Sequence, residues 1–430
     1  MTQPASNRLS DRDRAVLWHP FTPMRDWLTG ADPLVIDRAE GNELIDIDGR
    51  RYLDGVSSLW VNVHGHRHRH IDAAIRAQLE RVAHCTLLGL ASTPSIELAE
   101  RLVAIAPAGL RRVFFSDSGS TAVEVALKIA FQYQQLRGHS RRTRFLALDG
   151  AYHGDTIGSV SLGGIDVFHR IFHPLLFHTQ HVPATVPAVE RAIAGQADEL
   201  AAFIIEPLVQ GAAGIRLHPP GLLRAAADAC RAHDVLLIAD EVATGFGRTG
   251  TMFACQQEGV TPDLMAVAKG LSGGYLPVAA TLTTEPLFEA FLGPAGRERR
   301  TFFHGHSFGG NALGCAAAIA SLEVFEREQT LAALPGKIAA LARGLEQRIA
   351  GLPGVLEIRQ KAMMAGVELR ARDPDDAVGA RVCGIIRRHG VILRPLGPVV
   401  VLMPPLSITL AEIDRMVAAL AAAVTEGAGG

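Results

Sequence analysis

Six short and almost uninterrupted apolar segments between residues 110 and 285 constrain the fold more than any other feature of the sequence. They are RRVFF, RFLALD, AAFIIE, VLLIAD, LMAVAK and VAATLT. Apolar runs of this length are typical of strands that are buried on both faces of a sheet. Amphipathic helical patterns separate them, and the clearest runs from Gly119 to about Gly138. The alternation predicts an α/β fold with a large, mostly parallel sheet and crossover helices.

The pattern changes after Phe325, and this change divides the chain. Helical patterns and short strand-like segments follow, which is typical of a smaller α+β domain. The first 60 residues hold too few strand-like segments to form a core alone. We predict an N-terminal segment over residues 1–60 that joins the small domain, a large domain over 61–325, and a C-terminal small domain over 326–430.

Composition limits the possible partners and the compartment. Lys plus Arg (42) and Asp plus Glu (44) give a net charge of −2, which argues against nucleic acid or an anionic membrane as the main partner. The five cysteines lie at least 25 residues apart and fit neither a disulfide framework nor a zinc site, which favours a reducing cytoplasm. The polar N-terminus predicts no signal peptide, and we expect no membrane span.

The first candidate site follows the strand VFF. Ser118, Gly119 and Ser120 lie there, at the start of the clearest predicted helix. A helix N-terminus with small hydroxyl residues and a glycine is suited to bind an anion, most often phosphate. Serine is also favoured as an ordinary helix cap, so this motif needs support from other residues.

That support comes from two neighbouring apolar segments. Asp240 ends VLLIAD and Lys269 ends LMAVAK, so both side chains are expected at the carboxyl edge of the sheet. A lysine that closes a buried strand is costly to desolvate unless it is paired or used. A phosphate site, a nucleophilic lysine and an aspartate for a pyridinium nitrogen are the groups that pyridoxal phosphate requires. The three motifs together predict a pyridoxal-phosphate site.

Two other motifs suggest different chemistry. GFGRTG matches a dinucleotide-binding pattern, but it lies beyond its strand and a poor helix start follows it. GHSFG matches the nucleophile motif of serine hydrolases and would use Ser307, with Asp375 or Asp376 and His389 as partners. The hydrolase interpretation remains the alternative, and it leaves Asp240 and Lys269 unexplained.

Four histidines alternate along the sequence at residues 64, 66, 68 and 70. They could line one face of a strand as metal ligands. Arginines interleave them, however, and no cysteine or carboxylate lies near enough in the sequence to balance a dication. We therefore predict a loop cluster and no metal site.

With these motifs, the chain resembles the class-III, or ω-type, pyridoxal-phosphate aminotransferases from Trp18 to about Leu406. The specific signature is DEVATGFGRTG followed by PDLMAVAKG. The resemblance implies fold type I, with a large pyridoxal-phosphate-binding domain. Within the class, further segments resemble the members that convert 8-amino-7-oxononanoate to 7,8-diaminononanoate in biotin synthesis. These segments are LWHPF, SSLWVNVHGH, FFSDSGS, GAYHGDT, VQGAAG, HGHSFGGN and ILRPLG.

The resemblance implies a role for each matching residue. Lys269 would bind the cofactor covalently, Asp240 would pair with its ring nitrogen, and Tyr152 would lie against its pyridine face. The phosphate would be held by Ser118, Gly119 and Ser120, together with His306 and Ser307 from the second subunit of a homodimer. The substrate pocket would be shaped by Trp60, Tyr152, Arg248, Gly305 and Arg394.

The resemblance also bears on the amino donor, which is S-adenosylmethionine in most such enzymes and lysine in some. Phe21 stands where many members have tyrosine, and Leu59 stands where many have tryptophan. Both positions are associated with donor recognition. We expect S-adenosylmethionine as the donor, with lysine as the alternative. Another ω-aminotransferase and a non-catalytic pyridoxal-phosphate protein are further alternatives. The WHPF and SSLW segments argue against the first, and intact Asp240 and Lys269 argue against the second.

Overall fold

The computed structural model describes residues 5–293, 299–373 and 375–428. Its α-helices, in chain order, are α1 (Ala5–Val16), α2 (Met24–Thr29), α3 (Ser57–Trp60), α4 (Arg69–Leu79), α5 (Thr93–Ile105), α6 (Gly119–Leu136), α7 (Ile157–Leu162), α8 (Asp166–His169), α9 (Val186–Gln196), α10 (Leu222–Ala232), α11 (Glu285–Ala290), α12 (Ala312–Arg327), α13 (Thr330–Arg348), α14 (Val378–Ile386) and α15 (Leu410–Ala428). Among these described segments, no helix combines the length and the apolar character needed to cross a bilayer.

The strands complete the described secondary structure. In chain order they are β1 (Ile36–Glu40), β2 (Glu43–Asp46), β3 (Arg51–Asp54), β4 (Leu110–Ser116), β5 (Arg144–Leu148), β6 (Thr179–Val182), β7 (Leu200–Ile205), β8 (Val209–Gln210), β9 (Arg216–Leu217), β10 (Leu236–Asp240), β11 (Leu264–Val267), β12 (Ala279–Thr284), β13 (Val355–Lys361), β14 (Met364–Leu369), β15 (Val391–Ile392), β16 (Arg394–Leu396) and β17 (Val399–Leu402).

The large sheet contains all six of the predicted apolar segments. Its strand order is β4-β12-β11-β10-β7-β5-β6, and β12 runs antiparallel to both of its neighbours. The strands β11, β10, β7, β5 and β6 are parallel to one another. The predicted helix from Gly119 is confirmed as α6, which packs across this sheet.

Burial on both faces explains why these strands read as continuous apolar runs. Neighbouring residues of a strand point to opposite faces of a sheet. In β10, Leu237 and Ala239 join one apolar core, whereas Leu236 and Ile238 join another on the other face. Both faces are therefore covered, as the sequence predicts.

Three smaller sheets accompany the large one, and the smallest of them pairs β8 with β9. The strands β13, β14, β17 and β16 form an antiparallel sheet in that order. The N-terminal strands β1, β2 and β3 are joined by β15, which runs parallel to β3 with Val391 opposite Leu53. A strand from beyond residue 326 thus completes the N-terminal sheet. The domain boundaries at residues 60 and 325 stay predictions.

The large sheet brings the chemically important residues to one edge. Asp240 is the last residue of β10, and the register of β10 and β11 sets it opposite Ala266. Lys269 follows β11 at the start of a short 3-10 helix. The helix α6 begins three residues after the end of β4, which has the same direction as β11. The carboxyl ends of these strands therefore meet at one side of the sheet.

Two glycines of α14 provide a matched test of packing against helix propensity. A Cβ on buried Gly379 would lie 2.2 Å from the backbone oxygen of Gly397, whereas a Cβ on exposed Gly384 meets nothing within 4 Å. We expect Gly384→Ala to stabilise the fold by about 0.5–1 kcal/mol because alanine favours helix. We expect Gly379→Ala to destabilise it by about 1–3 kcal/mol because overpacking outweighs that gain. Thermal unfolding of both variants measures the difference, and an equal rise in Tm would contradict the contact.

Candidate active site

A cavity of about 140 Å³ lies at the carboxyl edge of the large sheet. Its lining contains seven of the residues that the sequence predicts for the site, namely Trp60, Ser118, Gly119, Ser120, Tyr152, Asp240 and Lys269. The rest of the lining consists of His153, Gly154, Glu206, Ala212, Val242 and Ala243. Residues from six separate parts of the chain therefore meet in one small space.

Asp240 is buried and is fixed by two hydrogen bonds. Its Oδ2 accepts from His153 Nδ1 at 2.7 Å, and its Oδ1 accepts from the Val242 amide at 3.1 Å. The His153 side chain is fully buried, and its Nε2 forms no hydrogen bond within the described part of the chain. His153 lies within the segment GAYHGDT, and no role was predicted for it. The signal was its position directly after Tyr152.

Lys269 brings an amine into the same cavity. Within the described segments its Nζ forms no hydrogen bond, and it lies 5.1 Å from the ring centroid of Trp60. Desolvation lowers the pKa of Lys269, although the nearby carboxylates of Asp240 and Glu206 oppose that shift. The amine is thus more easily deprotonated than an exposed lysine, which is the condition for a nucleophile and a base.

The start of α6 has the features of an anion site and also of an ordinary cap. Ser118 Oγ accepts from the Thr121 amide at 3.3 Å, and Thr121 Oγ1 accepts from the Ser118 amide at 3.0 Å. Both serve as caps. The amides of Gly119 and Ser120 lie in the first turn, where a helix supplies no acceptor. A Cβ on Gly119 would lie 2.5 Å from Val242, so glycine is required where this turn meets the cavity.

Glu206 is a second buried carboxylate that the sequence analysis missed. It directly follows β7, the parallel neighbour of β10. Its two oxygens accept from the amides of Tyr152 at 3.3 Å and Gly211 at 2.9 Å. Burial raises the pKa of Glu206 to about 7. The signal was present in the sequence, because AAFIIE ends on an acid just as VLLIAD does.

Tyr152 lies at one side of the cavity with its hydroxyl engaged. The hydroxyl donates to Asp155 Oδ2 at 2.7 Å. Burial, together with that hydrogen bond, raises the pKa of Tyr152 above its usual value. Its ring contacts the edge of Phe168 and lies nearly parallel to His169, with centroids 6.2 and 6.3 Å away. The ring therefore presents an apolar surface to the cavity and remains neutral.

Both arginines that were predicted for the substrate pocket lie outside the cavity lining. Arg248 is buried behind it and donates to Ser57 Oγ at 3.3 Å and to the Asn62 carbonyl at 3.2 Å. Burial lowers the pKa of Arg248 to about 10. Arg394, on β16, lies with its guanidinium carbon 5.9 Å from the ring centroid of Phe21, and burial lowers its pKa.

The predicted second-subunit residues also lie outside the lining. His306 lies in the loop that precedes α12, after α11, and its Nδ1 pairs with Asp117 Oδ2 at 2.9 Å. Gly305 and Ser307 of the same loop are exposed. Their roles stay predictions.

The contacts of the alternative motifs give them other roles. The carboxylate of Asp376 accepts from Arg381 at 2.7 Å and from the Arg372 amide at 3.0 Å, so it is engaged away from Ser307. His389 is exposed in a 3-10 helix that follows α14. The GFGRTG turn leads into a 3-10 helix at Ala254–Glu258, where a dinucleotide site needs an α-helix.

The histidine cluster uses its imidazoles separately. His64 Nε2 contacts Ser321 Oγ at 3.1 Å, and burial lowers the pKa of His64 to about 3. His66 contacts Asp54, His68 contacts Glu328, and His70 contacts Glu323. In the described segments, no three histidine, cysteine or acidic side chains are grouped as a metal site would need.

The cavity fits the pyridoxal phosphate that the sequence resemblance implies. Lys269 supplies a buried amine without a hydrogen bond in the described part of the chain. Asp240 supplies a carboxylate that His153 holds in place. The first turn of α6 supplies amides, and Gly119 leaves space beside them. The amine suits the aldehyde of this cofactor, the carboxylate suits its ring nitrogen, and the amides suit its phosphate.

Comparison with known proteins identifies the family. The sequence model described as Aminotransferase class-III matches residues 29–424. A relative from Nitratidesulfovibrio vulgaris, called adenosylmethionine-8-amino-7-oxononanoate aminotransferase, is 58% identical over 437 residues, which cover 95% of this chain and 80% of the relative.

Solved structures agree with this assignment. The crystal structure of the enzyme of that name from Methanocaldococcus jannaschii has a TM-score of 0.95 and 42% identity, and covers 98% of this chain and 99% of the other. An amine transaminase from an uncultivated Pseudomonas species, solved with pyridoxal phosphate bound, has a TM-score of 0.88 and 36% identity. This match covers 96% of this chain and 98% of the other. The predicted fold class and the predicted cofactor are therefore confirmed. The chain belongs to the class-III aminotransferases, which depend on pyridoxal phosphate.

Proposed function

We propose that the chain transfers an amino group to the ketone of 8-amino-7-oxononanoate and gives 7,8-diaminononanoate, a step of biotin biosynthesis. S-adenosylmethionine is the proposed donor. The observation that carries the proposal is the 58% identity, over 95% of this chain, to a relative named for this reaction. The segments LWHPF and SSLWVNVHGH resemble the same branch of the class.

Lys269 performs the proton transfers in this proposal. When bound, pyridoxal phosphate withdraws electrons from the substrate carbon that carries the amino group, so that this carbon can lose a proton. Lys269 is the residue that would hold the cofactor covalently. Its lowered pKa increases the fraction of neutral amine. In the first half-reaction the neutral Nζ would take the proton from the amine-bearing carbon of the donor and pass it on to the cofactor, and in the second half-reaction the transfer would run in reverse, so that the acceptor carbon gains a proton.

Two other residues hold the cofactor in this proposal. Asp240 would pair with the ring nitrogen, and its hydrogen bond from His153 orients the carboxylate. Tyr152 would cover one face of the ring, and its backbone amide is anchored on Glu206. Neither residue needs to move for the reaction.

Arg394 is the proposed partner of the substrate carboxylate. The acceptor carries a carboxylate at the end of an apolar chain, and it needs a cation beside aromatic side chains. Arg394 lies beside Phe21 and within electrostatic range of Tyr152, which lines the cavity. A guanidinium binds a carboxylate through two parallel hydrogen bonds.

The proposed assembly is a homodimer in the cytoplasm that acts on small molecules. Large apolar side chains are exposed near the Gly305–Ser307 loop, including Phe303 at 85% and Phe308 at 63%. Exposed apolar surface of this kind is typical of a subunit interface. The five cysteines are free thiols, which is consistent with a reducing compartment.

The direct test incubates the holoenzyme and 8-amino-7-oxononanoate with S-adenosylmethionine or lysine, and identifies the product by mass. We expect 7,8-diaminononanoate with S-adenosylmethionine. Product from other ketones, with none from this acceptor, would assign the chain to another ω-aminotransferase.

Lys269→Ala tests the catalytic amine. We expect a folded protein that binds pyridoxal phosphate without a covalent bond. Turnover should fall by more than the roughly 10²–10⁴-fold that a general base contributes, because covalent exchange also fails. Absorption spectra and single-turnover assays measure both effects. Lys337→Ala is the matched control, since Lys337 also has a pKa lowered by burial but donates to the Leu406 carbonyl, away from the cavity. Retained turnover in Lys269→Ala would exclude the assignment.

Ser307→Ala tests the second-subunit phosphate contact. Loss of one hydroxyl contact to a charged group should weaken cofactor retention by about 1–2 kcal/mol, or roughly 5- to 30-fold, without abolishing turnover. Dialysis followed by cofactor titration measures it. Ser307→Thr keeps the hydroxyl and should retain wild-type affinity. Complete loss of turnover in a fully loaded Ser307→Ala protein would contradict a role that is limited to holding the phosphate.

The double change Phe21→Tyr and Leu59→Trp tests the donor. The side chains of Phe21 and Leu59 are 54% and 43% exposed, so larger groups fit without displacing the core. An added aromatic face and an added hydroxyl together contribute about 1–3 kcal/mol, or roughly 5- to 150-fold in affinity. We expect that gain for S-adenosylmethionine in donor titrations. Phe131→Tyr, at another exposed phenylalanine, should leave both donors unchanged. Turnover of the wild type with lysine alone would make lysine the donor.

A further inference from the structure

A short turn beside the cavity has an unfavourable backbone. Ser57, Ser58 and Trp60 have φ angles of 53°, 61° and 64°. Non-glycine residues rarely adopt this left-handed region, because the Cβ then lies close to the backbone. Three such residues within four positions persist only where surrounding contacts hold them. We call residues 57–60 the tryptophan turn.

The tryptophan turn determines where Trp60 lies. Its indole is 7% exposed, lines the cavity, and has its ring centroid 5.1 Å from Lys269 Nζ. Trp60 Nε1 forms no hydrogen bond within the described residues, so this N–H does not fix the ring. The ring's place beside the amine therefore depends on the backbone of the turn.

Asp54 holds the tryptophan turn from one side. It is fully buried, and its Oδ1 accepts from the Ser58 amide at 2.8 Å. Its Oδ2 accepts from Ser58 Oγ at 3.0 Å and from His66 Nε2 at 3.0 Å. The other imidazole nitrogen of His66 accepts from Asn62 Nδ2 at 3.1 Å, and Asn62 Oδ1 accepts from the Gly65 amide at 2.7 Å. In this hydrogen-bond network, each donor therefore faces an acceptor.

Arg248 holds the tryptophan turn from the other side. It donates to Ser57 Oγ and to the Asn62 and Pro404 carbonyls. Ser57 Oγ in turn donates to the Met403 carbonyl at 2.7 Å. The negative charge of Asp54 opposes the cost of burying this guanidinium. The turn therefore lies between a buried anion and a buried cation.

We propose that Asp54 and His66 are positioning residues, which hold the tryptophan turn in its left-handed conformation and thereby fix the indole of Trp60 against Lys269. The proposal rests on the proposed function only for the choice of acceptor in the assay. Neither residue lines the cavity, so both act through Trp60.

An amide in place of Asp54 cannot satisfy this network. In Asp54→Asn, the new NH2 group would face the Ser58 amide N–H in one orientation and His66 Nε2–H in the other, and both of these groups are donors. The imidazole of His66 could instead carry its proton on Nδ1, but this N–H would then face the NH2 group of Asn62, which is also a donor. If the Asn62 amide turned over to accept from Nδ1, its oxygen would no longer accept from the Gly65 amide. At least one hydrogen bond is lost in either arrangement, and a buried unpaired donor is costly. Asp54→Asn is thus a nearly isosteric change that should release the tryptophan turn.

The experiment uses the emission of Trp60. The chain has three tryptophans, so Trp18→Phe and Trp27→Phe together leave Trp60 as the remaining one. In the holoenzyme, energy transfer to the nearby cofactor should quench Trp60 emission, and any displacement of the indole changes that quenching. Asp54→Asn, His66→Leu and His66→Gln are compared in this background, with kcat and KM for 8-amino-7-oxononanoate measured beside emission.

The matched control is Asp46→Asn. Asp46 is also a buried carboxylate, 2% exposed, and it accepts from the Arg50 amide, Arg50 Nε and Tyr52 Oη. Its partners do not line the cavity. Asp46→Asn should lower the Tm and leave the Trp60 emission and the KM unchanged.

We expect Asp54→Asn and His66→Leu to change the holoenzyme's Trp60 emission at least twofold and to raise KM about tenfold. His66→Gln, which keeps a donor for Asp54, should lie close to wild type. A lower Tm with unchanged emission and unchanged KM in Asp54→Asn would overturn the proposal, and so would equal behaviour of His66→Gln and His66→Leu. If Asp54→Asn fails to fold, the two His66 variants decide. If wild type does not aminate this acceptor, the proposed function fails, and the emission comparison still decides the positioning role.

Discussion

The desolvation of charged groups at the carboxyl edge of the large sheet is the constraint on which the rest of the site depends. Asp240, Glu206 and Lys269 all lie around one small cavity. Removing a charge from water is costly unless a partner replaces the water. Asp240 has His153 and a backbone amide, and Glu206 has two backbone amides. Lys269 has no hydrogen bond within the described residues, which leaves its amine available for covalent chemistry.

The sheet makes this convergence possible because three of its successive strands lie side by side and point in the same direction. The strands β7, β10 and β11 are parallel neighbours, and their registers set Ile205 opposite Ala239 and Asp240 opposite Ala266. Each strand is followed or ended by an ionisable residue at nearly the same height. Crossover segments of about thirty residues separate these positions along the chain, as parallel pairing requires. Rigid strands therefore supply the geometry, and short segments beyond them supply the chemistry.

The sequence predicted what local pattern encodes. Strands buried on both faces carry their own signal, and so do the start of α6 and the unusual positions of Asp240 and Lys269. The antiparallel direction of β12, the short strand β16, and the contact between His153 and Asp240 depend on pairings across the chain. Arg248 shows the limit most directly. The resemblance implies a role for it in the substrate pocket, and that role stays a prediction. In the structure it donates to the Pro404 and Asn62 carbonyls from outside the cavity lining, and no periodic pattern of the sequence encodes these contacts.

The backbone around the cavity adds a second constraint that side-chain chemistry alone does not explain. Lys269 and Trp60 both have positive φ angles, of 42° and 64°, although neither is glycine. Such conformations are maintained only where neighbouring packing and hydrogen bonds outweigh their cost. Lys269 follows directly from β11, whose two faces are buried, and Trp60 lies in a turn between Asp54 and Arg248. The large sheet and the N-terminal sheet thus hold Lys269 and Trp60 in backbone conformations that an unsupported chain would avoid. A site built in this way needs little rearrangement when substrate binds, because the surrounding fold has already met the cost of orienting its reactive groups.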